Sequence, residues 1–440
     1  MNSIKNYIES KKDEMTALLA RLVAVPSVQG EAEEGFPFGR KPAEALRIML
    51  EAANDAGFIT ENVDNYAGSA DFSELPPELA ILSHLDVVPA GDGWTTDPFT
   101  LREEDGRLFG RGAIDDKGPA VAALYALKAV KELGIPLKKG VRLIFGTNEE
   151  NGSADLAYYR SKRTLPPMVF TPDGDYPVIN VEKGMLRVFF SAEYSPNFDA
   201  DNGTVLVGVS GGTVINAVPG KCDFQYISGK DDGVLASFGT VEGTPAHAST
   251  PDKGENAITK LLGMRDDWES PLVSGLAKLF PHGETDGASC GLGFSDDISG
   301  TMTAVLSLLN MKDGRLSGAI DIRFPIDRSL DEIREIVCGK LTAIGYTIDS
   351  AEGVEAHCTD ENSPFVQALL SVYEEVTGDE GRCIAIGGGT YVHEIEGGVA
   401  FGAEFPGEEN NMHSPDESIK VSSLLKNAEL MANAIVRLCT

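Results

Sequence analysis

The sequence predicts an α/β protein, with a core whose mixed, mostly parallel sheet is covered by helices and interrupted by a smaller α+β insertion. Three observations carry that reading. Residues 1–180 alternate helix and strand signals, and a β-α-β order gives parallel strands with helices packed over them. From about Lys183 the texture changes to strands separated by Gly and Asp, and helical patterning resumes near Asn362. At 440 residues the chain exceeds what one hydrophobic core serves, so two domains are expected. Residues 1–183 and 356–440 are assigned to the core and 184–355 to the insertion.

The elements follow in order. From Tyr7 to Ala24 the apolar positions recur at helical spacing and predict one helix, and Lys41 to Ala56 repeats the pattern until Gly57 stops it. Leu79 to Val88 is a short, apolar, β-rich run that predicts a strand. Pro119 suits the first turn of a helix, where its missing N–H costs little, and the run continues through Val121, Leu124, Leu127 and Val130 to Gly134. Val141 to Thr147 is the next strand. Within the insertion, Met185 to Ala192 and Thr204 to Ser210 read as strands. Alternation after Leu316 puts Ile320, Ile322 and Phe324 on one face and Asp321 and Arg323 on the other. Ser329-Leu330-Asp331-Glu332 is a capping box, with Leu330, Ile333, Val337 and Leu341 turned inward. A last helix is expected from Ser422 to Leu438.

Composition excludes some partners. With 37 basic against 68 acidic residues and a formal charge of -31, the chain is ill suited to a nucleic-acid backbone. The six cysteines lie far apart with no C-x-x-C pair, which argues against a disulfide framework or a zinc ribbon and for reduced thiols in a cytoplasm. The first residues show no basic segment followed by an apolar one, and no stretch approaches the ~18 apolar residues of a membrane span. An unprocessed cytoplasmic protein without a membrane partner is expected.

Six scattered segments hold the chemistry: Ser83-His84-Leu85-Asp86, Asp115-Asp116-Lys117-Gly118, Asn148-Glu149-Glu150-Asn151, Thr171-Pro172-Asp173-Gly174, Pro245-Ala246-His247-Ala248 and Asn411-Met412-His413-Ser414. Imidazole and carboxylate without cysteine suit Zn²⁺ or Mn²⁺ held for hydrolysis. His84 and Asp86, two apart on a strand, share a face. A ligating imidazole passes its second N–H to a carboxylate or carbonyl, a task open to Asp86. An acid before the helix at Pro119 also suits a helix N-terminus, which can account for one of the two, such as Asp116. A carboxylate has two oxygens and can bridge two cations, the role assigned to Asp115. Adjacent acids are commonly just solvated surface, yet a two-metal hydrolase needs one carboxylate on a metal and one to take a proton from water, and Glu149-Glu150 can divide those tasks. Asp173 alone reads as a turn residue, and His247 and His413 alone as surface histidines.

Taken together, these motifs resemble the co-catalytic di-zinc peptidases and deacylases that include PepV-type dipeptidases, glutamate carboxypeptidases, aminoacylases and succinyl-diaminopimelate desuccinylase. Gly110-Arg111-Gly112 through Asp115-Asp116-Lys117-Gly118 is the most specific piece. Gly35-Phe36-Pro37-Phe38-Gly39, Thr171-Pro172-Asp173-Gly174 and Gly387-Gly388-Gly389-Thr390-Tyr391 resemble the dipeptidase branch. The resemblance implies a catalytic core with an inserted lid, and two divalent cations per chain, Zn²⁺ first, with Mn²⁺ or Co²⁺ as alternatives. It implies His84, Asp115, Glu150, Asp173 and His413 as metal ligands, Asp115 bridging, with Asp86 orienting His84 and Glu149 as general base. It implies His247 as the lid residue that stabilises the tetrahedral intermediate, and Asn216, Arg323 and Gly389 as substrate-binding positions. Arg323, with its guanidinium fork, would take the terminal carboxylate. Where many relatives carry arginine two positions after the tyrosine, this chain has His393. The expected activity is hydrolysis of the amide bond of dipeptides or short peptides, with N-acyl-amino-acid deacylation or desuccinylation by the same machinery as the alternative. In the PepV type a larger lid replaces the partner subunit, so the resemblance, with an insertion of this length, implies a monomer rather than a dimer.

Overall fold

The computed structural model describes residues 2–196, 203–230 and 233–440. The chain divides into two compact units: one formed by Met1–Asn180, Cys358–Ile384 and Thr390–Thr440, the other by Val181–His357 and Ala385–Gly389.

The first unit is built on a nine-stranded sheet in which Ile59–Val63, Ala67–Asp71, Gly140–Gly146, Pro77–His84, Met168–Thr171 and Val399–Ala400 lie side by side in that order. Pro77–His84 runs parallel to both neighbours, and Met168–Thr171 is parallel to Val399–Ala400. The strands toward Ile59–Val63 are antiparallel, so the sheet is mixed and parallel through its middle. Both faces are apolar. Leu79, Ile81, Leu143 and Phe145 join one core, which also takes in helices Lys117–Glu132 and Val421–Cys439, while Ala80, Leu82 and Ile144 join another with Leu156 and Tyr159. A strand enclosed on both sides reads as a continuous hydrophobic run, as Leu79 to Leu82 does.

Two expectations for this unit need correction. The single helix expected from Tyr7 to Ala24 is two, Asn2–Ser10 and Lys12–Val23, broken where Lys11 leaves helical geometry at φ -101, ψ 6. The strand expected to reach Val88 stops at His84. Asp86 therefore stands in the loop beyond the strand end, where Val87 N–H has turned to donate to the Ser27 carbonyl at 3.2 Å. The shared strand face assigned to His84 and Asp86 is not what brings them together.

The second unit is an antiparallel seven-stranded sheet ordered Gly233–Glu242, Lys221–Lys230, Thr204–Gly211, Thr303–Lys312, Arg315–Phe324, Gly184–Glu193 and Thr347–Val354. Helices Ala257–Gly263, Pro271–Leu279 and Leu330–Ala343 share its core with Leu186, Val188, Ile320, Ile322 and Phe324. The serine half of the capping box is formed, with Ser329 Oγ accepting the Glu332 N–H at 3.2 Å, while Glu332 Oε1 accepts from Arg328 Nη1 at 3.2 Å; Ile333, Val337 and Leu341 are buried below and Leu330 lies at the margin. The opposite face of Arg315–Phe324 is not left to water, because Asp321 and Arg323 are buried as well.

Candidate metal centre

Three neighbouring parallel strands end at one edge of the first unit's sheet, and each delivers functional side chains there. His84 is the last residue of Pro77–His84; Glu149 and Glu150 form a 3-10 turn just past Gly140–Gly146; Asp173 follows Met168–Thr171. Sites in open α/β sheets form beyond the carboxyl ends of strands for this reason. Asp115 arrives on the loop before helix Lys117–Glu132, and His413 on a loop where it holds a left-handed φ of 58.

His84 is fully buried. Its Nδ1 lies 3.2 Å from the Asp86 carbonyl and 3.4 Å from Asp86 Oδ1, which makes Nδ1 the protonated nitrogen and leaves a lone pair on Nε2. That Nε2 faces Asp115 Oδ1 at 2.9 Å and Asp173 Oδ2 at 3.8 Å without hydrogen-bonding geometry. The other oxygen of Asp115, Oδ2, faces His413 Nε2 at 2.7 Å, and His413 Nε2 is 3.4 Å from Glu150 Oε2. Asp115 thus presents one oxygen to each histidine. The donor atoms of His84, Asp115 and Glu150 fall within 4.8 Å of one another, as do those of His84, Glu149 and Asp173. Glu150 Oε1 is buried with no hydrogen-bond partner. An imidazole lone pair and a carboxylate oxygen at such distances repel unless a proton or a cation lies between them, so the residues fit a pair of divalent cations.

Charge makes the same point. Burial, with neighbouring Asp115 and the partly opposing His84, pushes Asp173 up to about 7, and burial lifts Glu149 well above the usual carboxylate range. Asp115 is also buried, yet the facing His413 and His84 hold it below its ordinary value. Burial opposes a charged His413, but Asp115 and Glu150 outweigh it and raise the ring to about 11. In this cluster protons occupy the places cations would take, and ligands must lose them to bind. Metal uptake should therefore release protons, and apparent affinity should rise as the pH is raised from about 6 to about 9. Titration calorimetry in two buffers of different ionisation enthalpy checks this; uptake without proton release would contradict it.

The supporting groups are as specific as the cluster. Asp86, fully buried, accepts the N–H of Glu149 on Oδ1 and of Glu150 on Oδ2, both at 3.1 Å, so one carboxylate clamps the acidic turn beside the His84 ring. Asp116 accepts the His84 N–H at 3.0 Å. Two positioning residues, Glu417 and Asp155, escaped the sequence reading, and a third, Tyr391, entered it only as part of the glycine motif. Glu417 pairs with Arg111 at 2.5 Å and accepts the Ile114 N–H at 3.1 Å and the Asp115 N–H at 3.4 Å, fixing the Asp115 loop. Asp155 Oδ2 accepts Thr147 N–H at 2.6 Å, Asn148 N–H at 2.8 Å and the Tyr391 hydroxyl at 2.6 Å, just before Glu149. The Tyr391 hydroxyl lies where a side chain at Gly146 would begin. The visible signals were an acid four residues past His413, and a tyrosine after the triple glycine.

The candidates in the insertion gather inside the second unit. Ala217 pairs with His247 and Val218 with Ala246, and Ala248 N–H donates to the Asn216 carbonyl at 2.9 Å, so Asn216 and His247 share one short ribbon. Thr303 Oγ1 donates to the Ala248 carbonyl at 3.1 Å, and Thr303 is the strand partner of Arg323. Arg323 gives Nε and Nη2 to Asp321 at 2.6 and 3.1 Å and Nη1 to the Gly387 carbonyl at 3.1 Å. Gly389 ends the Ala385–Gly389 segment, which packs with this unit although the sequence boundaries put it in the core.

Two imidazoles and a ring of carboxylates, gathered where parallel strands end and two loops join them, fit a pair of cations as a hydrolase would hold them. The chain belongs to peptidase family M20/M25/M40, whose family model matches residues 80–437. It is 34% identical to the Beta-Ala-Xaa dipeptidase of Lactobacillus delbrueckii subsp. lactis across 99% of this chain and 98% of that protein. Its fold is similar to that of human carnosine dipeptidase 1, with TM-score 0.64, 17% identity and coverage of 99% and 98% of the two chains. It is also similar to that of the Bacillus subtilis YXEP protein, described as a dinuclear metal binding peptidase, with TM-score 0.56, 12% identity and coverage of 97% and 98%. Among the described residues no helix is long and apolar enough to cross a membrane.

Proposed function

We propose that this peptidase hydrolyses the amide bond of dipeptides or short peptides, using two divalent cations, Zn²⁺ first among Zn²⁺, Mn²⁺ and Co²⁺, held by His84, Asp115, Glu150, Asp173 and His413. The observation that carries the reading is Asp115, whose two oxygens face His84 and His413 at 2.9 and 2.7 Å. Cations bound there would polarise the scissile carbonyl and acidify a water. Glu149 takes the proton of that water and passes it to the leaving amine. Asp86 holds Glu149 and Glu150 through their N–H groups and keeps the His84 lone pair on Nε2. His247 donates to the oxyanion, a contact worth roughly 3 to 4 kcal/mol for one well-placed donor. Asn216, Arg323 and Gly389 hold the substrate. Dipeptide specificity is supported by the resemblance to a Beta-Ala-Xaa dipeptidase over almost the whole chain, and the monomeric, cytoplasmic setting rests on sequence alone.

The test pairs chelation with two substrate panels. Chelation should abolish hydrolysis and added Zn²⁺, Mn²⁺ or Co²⁺ should restore it; full activity in metal-free protein would overturn the mechanism. Dipeptides should be cleaved faster than acetyl or succinyl amino acids, and the reverse order would make the enzyme a deacylase.

Arg323 has a narrower test. Three of its five N–H groups are engaged by Asp321 and Gly387, so two remain for a carboxylate. Arg323→Lys keeps a positive charge beside the buried Asp321 but loses the fork. It should raise KM about tenfold for dipeptides with a free carboxylate, the worth of ~1.4 kcal/mol, and much less for amidated ones. Equal losses on both would make Arg323 purely structural.

A further inference from the structure

Ser249 stands against the one face of His247 that decides which ring nitrogen carries the proton. Its backbone N–H donates to His247 Nδ1 at 3.3 Å, and its Oγ lies 2.7 Å from the same nitrogen. A backbone N–H can only donate, so Nδ1 must accept; the hydroxyl, which can do either, follows by donating as well. A neutral imidazole that accepts on Nδ1 carries its hydrogen on Nε2. We infer that Ser249 is a positioning residue that fixes His247 as the Nε2–H tautomer, the form able to donate to an oxyanion. The inference rests on the oxyanion role proposed for His247, because a ring with its hydrogen on Nδ1 would turn a lone pair toward negative charge.

The turn that sets this geometry is held on several sides. Thr250 N–H donates to the His247 carbonyl at 3.0 Å, and buried Ala248 is bonded through its N–H to Asn216 and through its carbonyl to Thr303. Behind Ser249 lies Gly387, where an added Cβ would meet Ser249 Cβ at 2.8 Å. Only a residue without a side chain lets that segment approach so closely. The segment is itself anchored, since Lys183 N–H donates to the Ile386 carbonyl at 3.0 Å and Arg323 to the Gly387 carbonyl at 3.1 Å. The third position of Pro245-Ala246-His247-Ala248-Ser249 and the first glycine of Gly387-Gly388-Gly389 thus meet at Ser249.

Two-bond ¹⁵N–¹H correlation spectra of the full-length enzyme labelled at histidine nitrogens test this, with His247 assigned by the signals lost in His247→Gln. Wild type should show His247 as the Nε2–H tautomer. Ser249→Ala keeps the backbone N–H at 3.3 Å but removes the shorter hydroxyl bond at 2.7 Å, so it should populate the other tautomer in part and lower kcat by up to about tenfold, the worth of one hydrogen bond, with KM little changed. Ser249→Thr, which restores the hydroxyl, should recover both the spectrum and kcat. A wild-type His247 protonated on Nδ1, or a Ser249→Ala enzyme with unchanged spectrum and kcat, would overturn the inference. A shifted tautomer at unchanged kcat would uphold the positioning by Ser249 and remove the oxyanion role from His247, so the two failures are distinguishable.

Discussion

Glu149→Gln should lower kcat by ~10²- to ~10⁴-fold, the range for loss of a positioned general base, while the protein still binds two metal ions per chain. Glutamine keeps the shape of the side chain and the N–H that Asp86 accepts at 3.1 Å, so the acidic turn should survive. Only the ability to take a proton is lost. Glu150→Gln should behave differently, because Glu150 Oε2 shares the His413 Nε2 at 3.4 Å. There the metal content measured by elemental analysis should fall toward one ion per chain, and activity should recover in part at high metal concentration. Proximity does not separate these acids, since Glu149 also groups with His84 and Asp173. What marks Glu150 is its approach to His413 as well as to Asp115 and His84. Swapped phenotypes, with Glu149→Gln losing metal and Glu150→Gln keeping it, would exchange their assignments.

How far the site could be read from sequence follows from which contacts are local. Glu149 and Glu150 were legible because they follow the apolar run Val141 to Thr147, whereas His84 lay inside an expected strand and Asp173 read as a turn residue, so both entered the ligand set through the motif resemblance. The two-residue spacing rightly linked Asp86 to His84, though through a loop rather than a strand face. That Asp86 also receives the N–H groups of Glu149 and Glu150 depends on Pro77–His84 pairing with Gly140–Gly146, a register that neither segment announces alone. Glu417 acts on backbone amides 303 and 302 residues away in the chain, and Asp155 folds back from the first turn of a helix onto amides eight and seven residues before it; an acid carries no mark of either in the sequence. The helix break at Lys11 was invisible for a different reason: no Gly or Pro punctuates it, and the apolar spacing runs on from Ile8 to Met15. The burial of Asp321 and Arg323 was hidden because polar alternation ordinarily means solvent, whereas here each residue supplies the other's partner.

Asp115→Ala should cost the protein both metal ions, a larger loss than any other single ligand. The carboxylate presents one oxygen to each histidine, Oδ1 toward His84 at 2.9 Å and Oδ2 toward His413 at 2.7 Å, so its removal takes one donor from each position. Its backbone stays fixed, because Glu417 accepts the Ile114 and Asp115 N–H groups whatever side chain follows. The loop should therefore remain folded and the defect be confined to binding. Thermal unfolding gives a readout that needs no substrate. A cation that binds only the folded state at 100 times its Kd adds ~2.7 kcal/mol of stability per site, so wild-type Tm should rise clearly on adding Zn²⁺ to the chelated protein. Asp115→Ala should show almost none of that rise at the same concentration and should be inactive with every metal tried. Glu150→Gln, with one position left intact, should keep part of it. If Asp115→Ala instead retained one tightly held ion and about half of the Tm rise, Asp115 would be a ligand to a single cation, and the bridge would have to be assigned to another carboxylate.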